Sequence, residues 1–326
     1  MSALDLAFQN LVSPMVLFFA LGLAAALARS DLSVPEAVAK TLALYLMMSI
    51  GFKGGAEVAR TGLTSSMIAV ILAGAILSFI LPVIAYSILR LVSRLSVVDA
   101  AAVSAHYGSI SIVTFVAATQ TVTSLGLDYE GYLIAVAAIM ETPAILSALL
   151  LARRSAPAAA DAEPIGRLLR EIALNASVVM LVGSFLIGWA TGPRGLDMIA
   201  AFIVDPFRGV LCLFLLDMGL VAGRGMRQGL KHLSMPVIGF GLVMPLISAS
   251  LAAGAAALVG LSPGGAALFI TLAASASYIA VPAAMRLALP DANPSIYLTL
   301  SLGVTFPFNL TIGIPLYLAM AERIAG

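Results

Sequence analysis

The sequence predicts an all-α integral membrane protein, with ten transmembrane helices arranged as two inverted five-helix repeats. Three observations carry that expectation. Of 326 residues, 61% are apolar and only 10% charged, where a soluble domain carries about 25% charge. The remaining charges fall between long apolar runs, and the second half of the chain repeats polar landmarks of the first in order. A net charge of +1 gives no basic footprint for nucleic acid. The single cysteine, Cys212, excludes an internal disulfide framework and a cysteine-built metal centre. His106 and His232 are too few for a histidine-based one. No transition-metal site and no cofactor are expected. Met1 to Gln9 carries Asp5 and no Lys or Arg, so it does not read as a signal peptide.

A membrane-crossing helix needs about 20 mostly apolar residues. Leu6 to Ala28 is uncharged and gives the first. The second is squeezed between Lys40 and the run Gly51-Phe52-Lys53-Gly54-Gly55. Thr61 to Leu89 gives the third, Ala100 to Leu127 the fourth, and Gly131 to Leu151, interrupted by Glu141, the fifth. Ile172 to Pro193 is the sixth; the seventh runs from about Ile199 to Gly223 and contains Asp205, Arg208 and Asp217. His232 to Met285 holds the eighth and ninth, with Ser262-Pro263-Gly264-Gly265 as their turn. Ala292 to Ala321 is the tenth. With ten spans, Lys53, Arg60, Arg194, Arg208 and Arg323 lie on one side and the other twelve of the 17 Lys and Arg residues on the opposite side. Positive charge marks the cytoplasm, so a multi-pass protein of the inner (plasma) membrane is expected, with both termini outside.

Ile50-Gly51-Phe52 with Gly62-Leu63 recurs as Met218-Gly219-Leu220 with Gly229-Leu230. Leu81-Pro82-Val83-Ile84 recurs as Met244-Pro245-Leu246-Ile247. Ser96 to Ala118 lies over Ser262 to Ala284, and Tyr132-Leu133 over Tyr297-Leu298. The offset drifts by only a few residues, as small loop gaps produce. Residues 1–152 form the first repeat, 153–170 a cytoplasmic linker and 171–326 the second repeat. A repeat with an odd number of spans is necessarily inverted, and inverted repeats with interrupted helices are the architecture of secondary transporters.

The fourth helix is interrupted by His106-Tyr107-Gly108-Ser109-Ile110-Ser111, and its mate in the ninth reads Ala273-Ala274-Ser275-Ala276-Ser277-Tyr278, followed by Pro282. Such residues weaken helices, and unwound backbone at membrane depth survives only beside a cavity or inside protein. Two broken helices that cross can aim half-helix N-termini at one spot, with unpaired N–H groups and about half a positive charge each. That suits a compact oxyanion. Small residues also pack helices, and serines also bond their own backbone, but paired clusters in one register favour a site. His106 reads equally as a structural histidine or a ligand contact, and Tyr107 and Tyr278 as gate or packing residues. Glu141, in Met140-Glu141-Thr142-Pro143-Ala144, is an intramembrane acid and points to function. Its approximate mate is Phe306-Pro307-Phe308-Asn309, and both prolines free carbonyl oxygens. Carboxylate, amide, hydroxyl and carbonyl oxygens suit an alkali cation, and Glu141 also suits a proton relay. Asp217 reads as a proton site or as an ion pair with Arg208 or Arg224.

Ser13-Pro14 with Val16-Leu17-Phe18-Phe19, Arg29-Ser30-Asp31-Leu32, Ile50-Gly51-Phe52-Lys53-Gly54-Gly55 and the Glu141 run resemble the sodium-dependent bicarbonate transporters of the SbtA type over nearly the whole chain. The resemblance implies a homotrimer embedded in membrane lipid, with a core domain moving against a gate domain as in an elevator. It implies bicarbonate held at Ser109, Ser111, Ser275 and Ser277, with Gly108, Ile110, Ala276 and Tyr278 as backbone neighbours, and Na+ as coupling ion near Glu141, Thr142 and Asn309. It also implies a PII-like regulatory protein on the cytoplasmic face, although members regulated that way have a longer loop between the halves.

The function expected is sodium-coupled bicarbonate symport by alternating access, not enzymatic catalysis. Alternatives are a transporter of another small anion, a sodium/proton antiporter, and an anion-binding membrane sensor acting through the linker. The antiporter has only Glu141 and Asp217 as candidate acids. An intramembrane serine hydrolase lacks a Gly-x-Ser-x-Gly elbow.

Overall fold

A computed structural model describes residues 12–62, 64–155, 170, 174, 176–229, 233–278 and 280–325. Met1 to Gln9, Leu63, the linker residues 156–169, the expected start of the sixth helix at Ile172, Leu230 and His232 lie outside them. The described chain is built of helices: α1 (Pro14–Leu27), α2 (Glu36–Thr61), α3 (Ser65–Val92), α4 (Val97–Gly108), α5 (Ile112–Ser124), α6 (Leu133–Ser155), α7 (Ala176–Ile203), α8 (Phe207–Gly229), α9 (Met235–Val259), α10 (Pro263–Ala274), α11 (Ala280–Ala288) and α12 (Pro294–Ile324).

Among the described residues, six stretches are long and apolar enough to cross a membrane: α3, α4 with α5, α6, α8, α9 and α12. α1 and α10 are apolar but shorter. α2 and α7 span 26 and 28 residues, yet Lys53, Glu57 and Arg60 sit inside the first, and Arg194 and Asp197 inside the second. α3 turns Ile68, Leu72 and Ile76 outward at helical spacing, each more than half exposed. α4 and α5, by contrast, are buried throughout their most apolar window. Apolar faces therefore look outward, and the interrupted α4–α5 segment is sheathed by protein, as a bilayer environment demands.

Two boundaries and two internal irregularities differ from the sequence reading. The second helix does not stop at the glycine run but continues through it to Thr61. Gly51 and Gly55 lie four residues apart against α7, where an added β-carbon would collide with the Leu181 and Phe185 carbonyls. Small residues at that spacing let two backbones approach closely. The seventh helix starts at Phe207, not Ile199. Gly192 adopts φ 63°, ψ −157°, a backbone that glycine tolerates. A separate segment restarts at Pro193 and runs to Ile203, and Asp205 lies in the following turn. The last span contains two π-helical stretches, Thr299–Thr305 and Asn309–Gly313, flanking Pro307, whose missing N–H removes an ordinary helical bond.

The helices sort into two groups. α2 packs along α7, α1 along α8, and α2 also touches α8; α3, α4 and α6 pack together, as do α9, α10 and α12, with α3 against α9, and α8 also packs on α12 across the two groups. The connections sort as well. At one end, Glu130 after α5 accepts hydrogen bonds from Ser262 N (2.9 Å) and Oγ (3.0 Å) before α10. Gly131 lies against Glu57 at the end of α2. At the other end, Arg224 donates to Leu32 O (2.9 Å) after α1, and Asn293 N, before α12, donates to Asp99 (2.8 Å), in the first turn of α4.

The α2–α7 contact yields a stability test. Gly55→Leu is expected to cost about 1–3 kcal/mol through overpacking. Gly239→Ala, where nothing lies within 4 Å of an added β-carbon, should leave the melting temperature in detergent unchanged or slightly higher.

Candidate functional site

Both breaks arise where the sequence predicts them. Ser109 caps the C-terminus of α4 with extended backbone (φ −85°, ψ 172°), and Ser111 caps the N-terminus of α5 by accepting from Thr114 N at 3.2 Å. Ser275 ends α10 in nearly the same conformation as Ser109 (φ −83°, ψ 161°), and α11 begins at Ala280. Gly108, at the first break, fits against Pro82 of α3, with no room for a β-carbon.

The two breaks meet. Ser111 N donates to Ser275 Oγ (2.8 Å), and Ser275 Oγ donates on to Leu272 O (2.8 Å). Ser277 N donates to His106 O (2.8 Å), and His106 Nδ1 lies 2.5 Å from Ser277 O. A carbonyl only accepts, so Nδ1 carries the proton. The His106 ring stacks on Tyr297 with centroids 4.6 Å apart. The sequence reading expected unpaired amides at both breaks; the amides of Ser111 and Ser277 instead have acceptors in the opposite break. At α5, the amides of Ile112 and Val113 have no acceptor within the helix.

Ser109, Ile110, Ser111, Ser275, Ala276 and Ser277 are each at most 3% exposed, and Tyr278 is 8% exposed. Among the described residues, the buried side-chain atoms without a hydrogen bond include His106 Nε2, Ser109 Oγ, Thr114 Oγ1 and the Tyr278 hydroxyl. These four, half of the eight such atoms among the described residues, belong to the breaks or the first turn after them; Ser49, Glu141, Ser147 and Ser301 hold the others. Buried polar atoms are normally paired, so this concentration of three hydroxyls and an imidazole nitrogen fits a polar ligand. Tyr107 faces another way, with its hydroxyl 2.5 Å from Thr305 Oγ1, which donates to Gly241 O (2.7 Å). It ties α4 to α12 and α9.

Glu141 is buried in α6, and its Oε2 has no hydrogen-bond partner. The preceding carbonyl, Met140 O, accepts from Ser78 of α3. Thr142 is partly buried beside it. Asn309 is engaged elsewhere: its amide donates to Ala274 O at the end of α10 (3.0 Å), and its Oδ1 accepts from the Tyr317 hydroxyl (2.6 Å). No hydrogen bond among the described residues joins Asn309 to Glu141. Asp217 is buried in α8 without an ion pair among the described residues, with Arg224 as a charge acting on it.

Sequence reasoning missed a cavity of about 530 Å³. Ile50 and Lys53 of α2, Phe115, Thr119 and Thr123 of α5, and Asp205 and Arg208 at the α7–α8 connection line it. A second cavity of about 440 Å³ shares Lys53, Thr123 and Tyr129 with the first and extends to Glu57, Arg60 and Asp128. Burial and the Glu57 carboxylate hold the Tyr129 phenol above its ordinary range, so it stays neutral there. The signal in the sequence was a lysine inside an apolar helix, read there only as a boundary.

Ser109 and Ser275 differ in a measurable way. Ser275→Ala removes an accepted and a donated hydrogen bond and should cost about 1–2 kcal/mol. Ser109→Ala removes a buried hydroxyl that makes none, so its melting temperature should stay level or rise.

No curated protein matches the chain. A family model described as the Na+-dependent bicarbonate transporter superfamily matches residues 14–322, a stretch holding every helix described above except the last few residues of α12, and both helix breaks. The resemblance thus extends over nearly the whole chain and not over scattered motifs, and the chain belongs to the Na+-dependent bicarbonate transporter superfamily.

Proposed function

We propose that this protein is a sodium-coupled bicarbonate symporter working by alternating access, with ten spans in two inverted repeats. The observation that carries the reading is the meeting of two serine-lined helix breaks, rich in unpaired hydroxyls, inside a chain whose family is Na+-dependent. The segregation of the connections supports the topology. Those following α5 and α9 touch each other, and Arg224 near the end of α8 joins the connection following α1 at the other end, as ten alternating crossings require. On this reading both termini face outside the plasma membrane.

Bicarbonate is held by Ser109 and Tyr278 hydroxyls and by amides at the start of α5. Ser111, Ser275 and Ser277 hold the breaks together and exchange partners as the anion arrives. Neutral donors lower the cost of burying an anion without a full counter-charge. Na+ is the coupling ion and sits by Glu141 and Thr142, whose oxygens suit a hard cation. Asn309 positions the end of α10. The group α1, α2, α7 and α8 serves as gate, and the remaining helices as the moving core. A trimer is the expected assembly, with the exposed apolar faces against lipid or a neighbouring copy; a PII-like protein binding the cytoplasmic face is the expected regulator.

Labelled bicarbonate uptake into proteoliposomes under an inward Na+ gradient, against a matched K+ gradient, tests the reading. Sodium-dependent accumulation is expected. Ser109→Leu should reduce it at least tenfold with assembly intact, and Glu141→Gln should remove its sodium dependence. Uptake that ignores sodium, or normal uptake by both variants, would sink the assignment.

A further inference from the structure

The cavity lined by Lys53 and Arg208 holds an electrostatic imbalance that the breaks do not explain. Lys53 is only partly exposed, and its ammonium lies 4.3 Å from the centroid of the Phe207 ring. Among the described residues it makes no salt bridge, and neither does Arg208, whose positive charge acts on it through the same space. Asp205 is the acid lining this inner cavity; it is exposed and forms no ion pair among the described residues. In the adjoining outer cavity, Glu57 is committed to Arg60. Lys53, partly buried, and Arg208, exposed, thus line one open cavity with a single exposed acid, and for Lys53 an aromatic face is a weaker partner than a counter-ion. A cation withdrawn from water without a partner is costly, and a mobile anion relieves that cost.

The cavity also points somewhere. Thr123, Thr119 and Phe115 line it at successive turns of α5, and one more turn along the same face is Ser111, the N-cap at the break. Phe115 is fully buried and stands between the cavity and the serines.

We propose that this cavity is a second anion site, a staging vestibule in which Lys53 and Arg208 hold a small hydrated oxyanion before it passes along α5, past Phe115, to Ser111. The site recognises charge, whereas the breaks recognise shape. It rests on the transport reading only for the identity of the passing anion, bicarbonate.

The field can be read without transport. In a Cys212→Ala background, Thr119→Cys is placed in the vestibule, with Thr123→Cys as a second position nearer the mouth. Each is labelled at low ionic strength by a sulfonate-bearing or a trimethylammonium-bearing methanethiosulfonate. Taking the ratio of the two rates cancels differences in thiol reactivity. The anionic reagent is expected to be favoured by about tenfold, with Arg208→Gln and Lys53→Gln each pulling the ratio toward one and Lys53→Arg preserving it. In uptake, Arg208→Gln should raise the KM for bicarbonate by about three- to tenfold, while kcat falls less than twofold. A ratio near one in the parent, or one that neither variant changes, overturns the staging site even where sodium-dependent uptake is robust. A normal charge preference in a protein that moves no bicarbonate keeps the staging site and removes the transport reading.

Discussion

The structure depends on how two interrupted helices satisfy their backbone away from water. Breaking a helix inside an apolar layer strands N–H and C=O groups, each costing several kcal/mol if left unpaired. Here each break supplies the other's missing partners: Ser275 Oγ accepts from Ser111 N, and the His106 carbonyl accepts from Ser277 N. His106 then returns a hydrogen bond from its ring to Ser277 O. Neither break is stable alone, so the fold has to bring residues 106–111 against residues 275–278. The surrounding helices do this, α3 and α6 flanking the first break and α9 and α12 the second.

That solution is also what makes the region adaptable. Hydrogen bonds between two breaks, unlike those within a helix, can be exchanged for bonds to a ligand without unravelling a secondary element. The serines serve twice, as pieces of backbone repair and as donors. Ser109 keeps a hydroxyl with no hydrogen bond, and the Tyr278 hydroxyl, near the Ser111 side chain, makes none of good geometry; these set the surplus a ligand would use. Tyr107 and Asn309 spend theirs on fixed positions, the first on Thr305 and the second on Ala274 O and the Tyr317 hydroxyl.

Much of this was legible in the sequence because membrane physics writes it there in composition. Long uncharged runs, an in-register repeat and two serine clusters located α3 to α6, α9 and α10, and both breaks to within a few residues. What was illegible was whatever depends on tertiary approach. Gly51 and Gly55 read as a helix end because their purpose is to admit α7. Gly192 was lost within a span because its left-handed φ leaves no mark beyond the glycine itself. Asn309 read as a cation ligand from its residue type, and only the distances to Ala274 and Tyr317 reveal its hydrogen bonds. Lys53 and Arg208 lie far apart in sequence, and nothing local announces that they face one cavity.

The distribution of charge suggests why such a protein would separate attraction from recognition. Full charges stand at the mouth, where water shares the cost of exposing them, and the breaks carry dipoles, whose pull on an anion is weaker. Two unit charges 4 Å apart attract by about 1 kcal/mol in water but by about 4 kcal/mol at a protein-like dielectric. A lysine at the breaks would therefore hold an anion too firmly to release it on the far side. Glu141, buried in α6 with Oε2 unpaired, is an acid instead, and an ionised acid repels an anion unless a cation or proton compensates it. On the proposed symport reading, Glu141 would make anion binding conditional on cation binding, and that condition is the thermodynamic content of coupling.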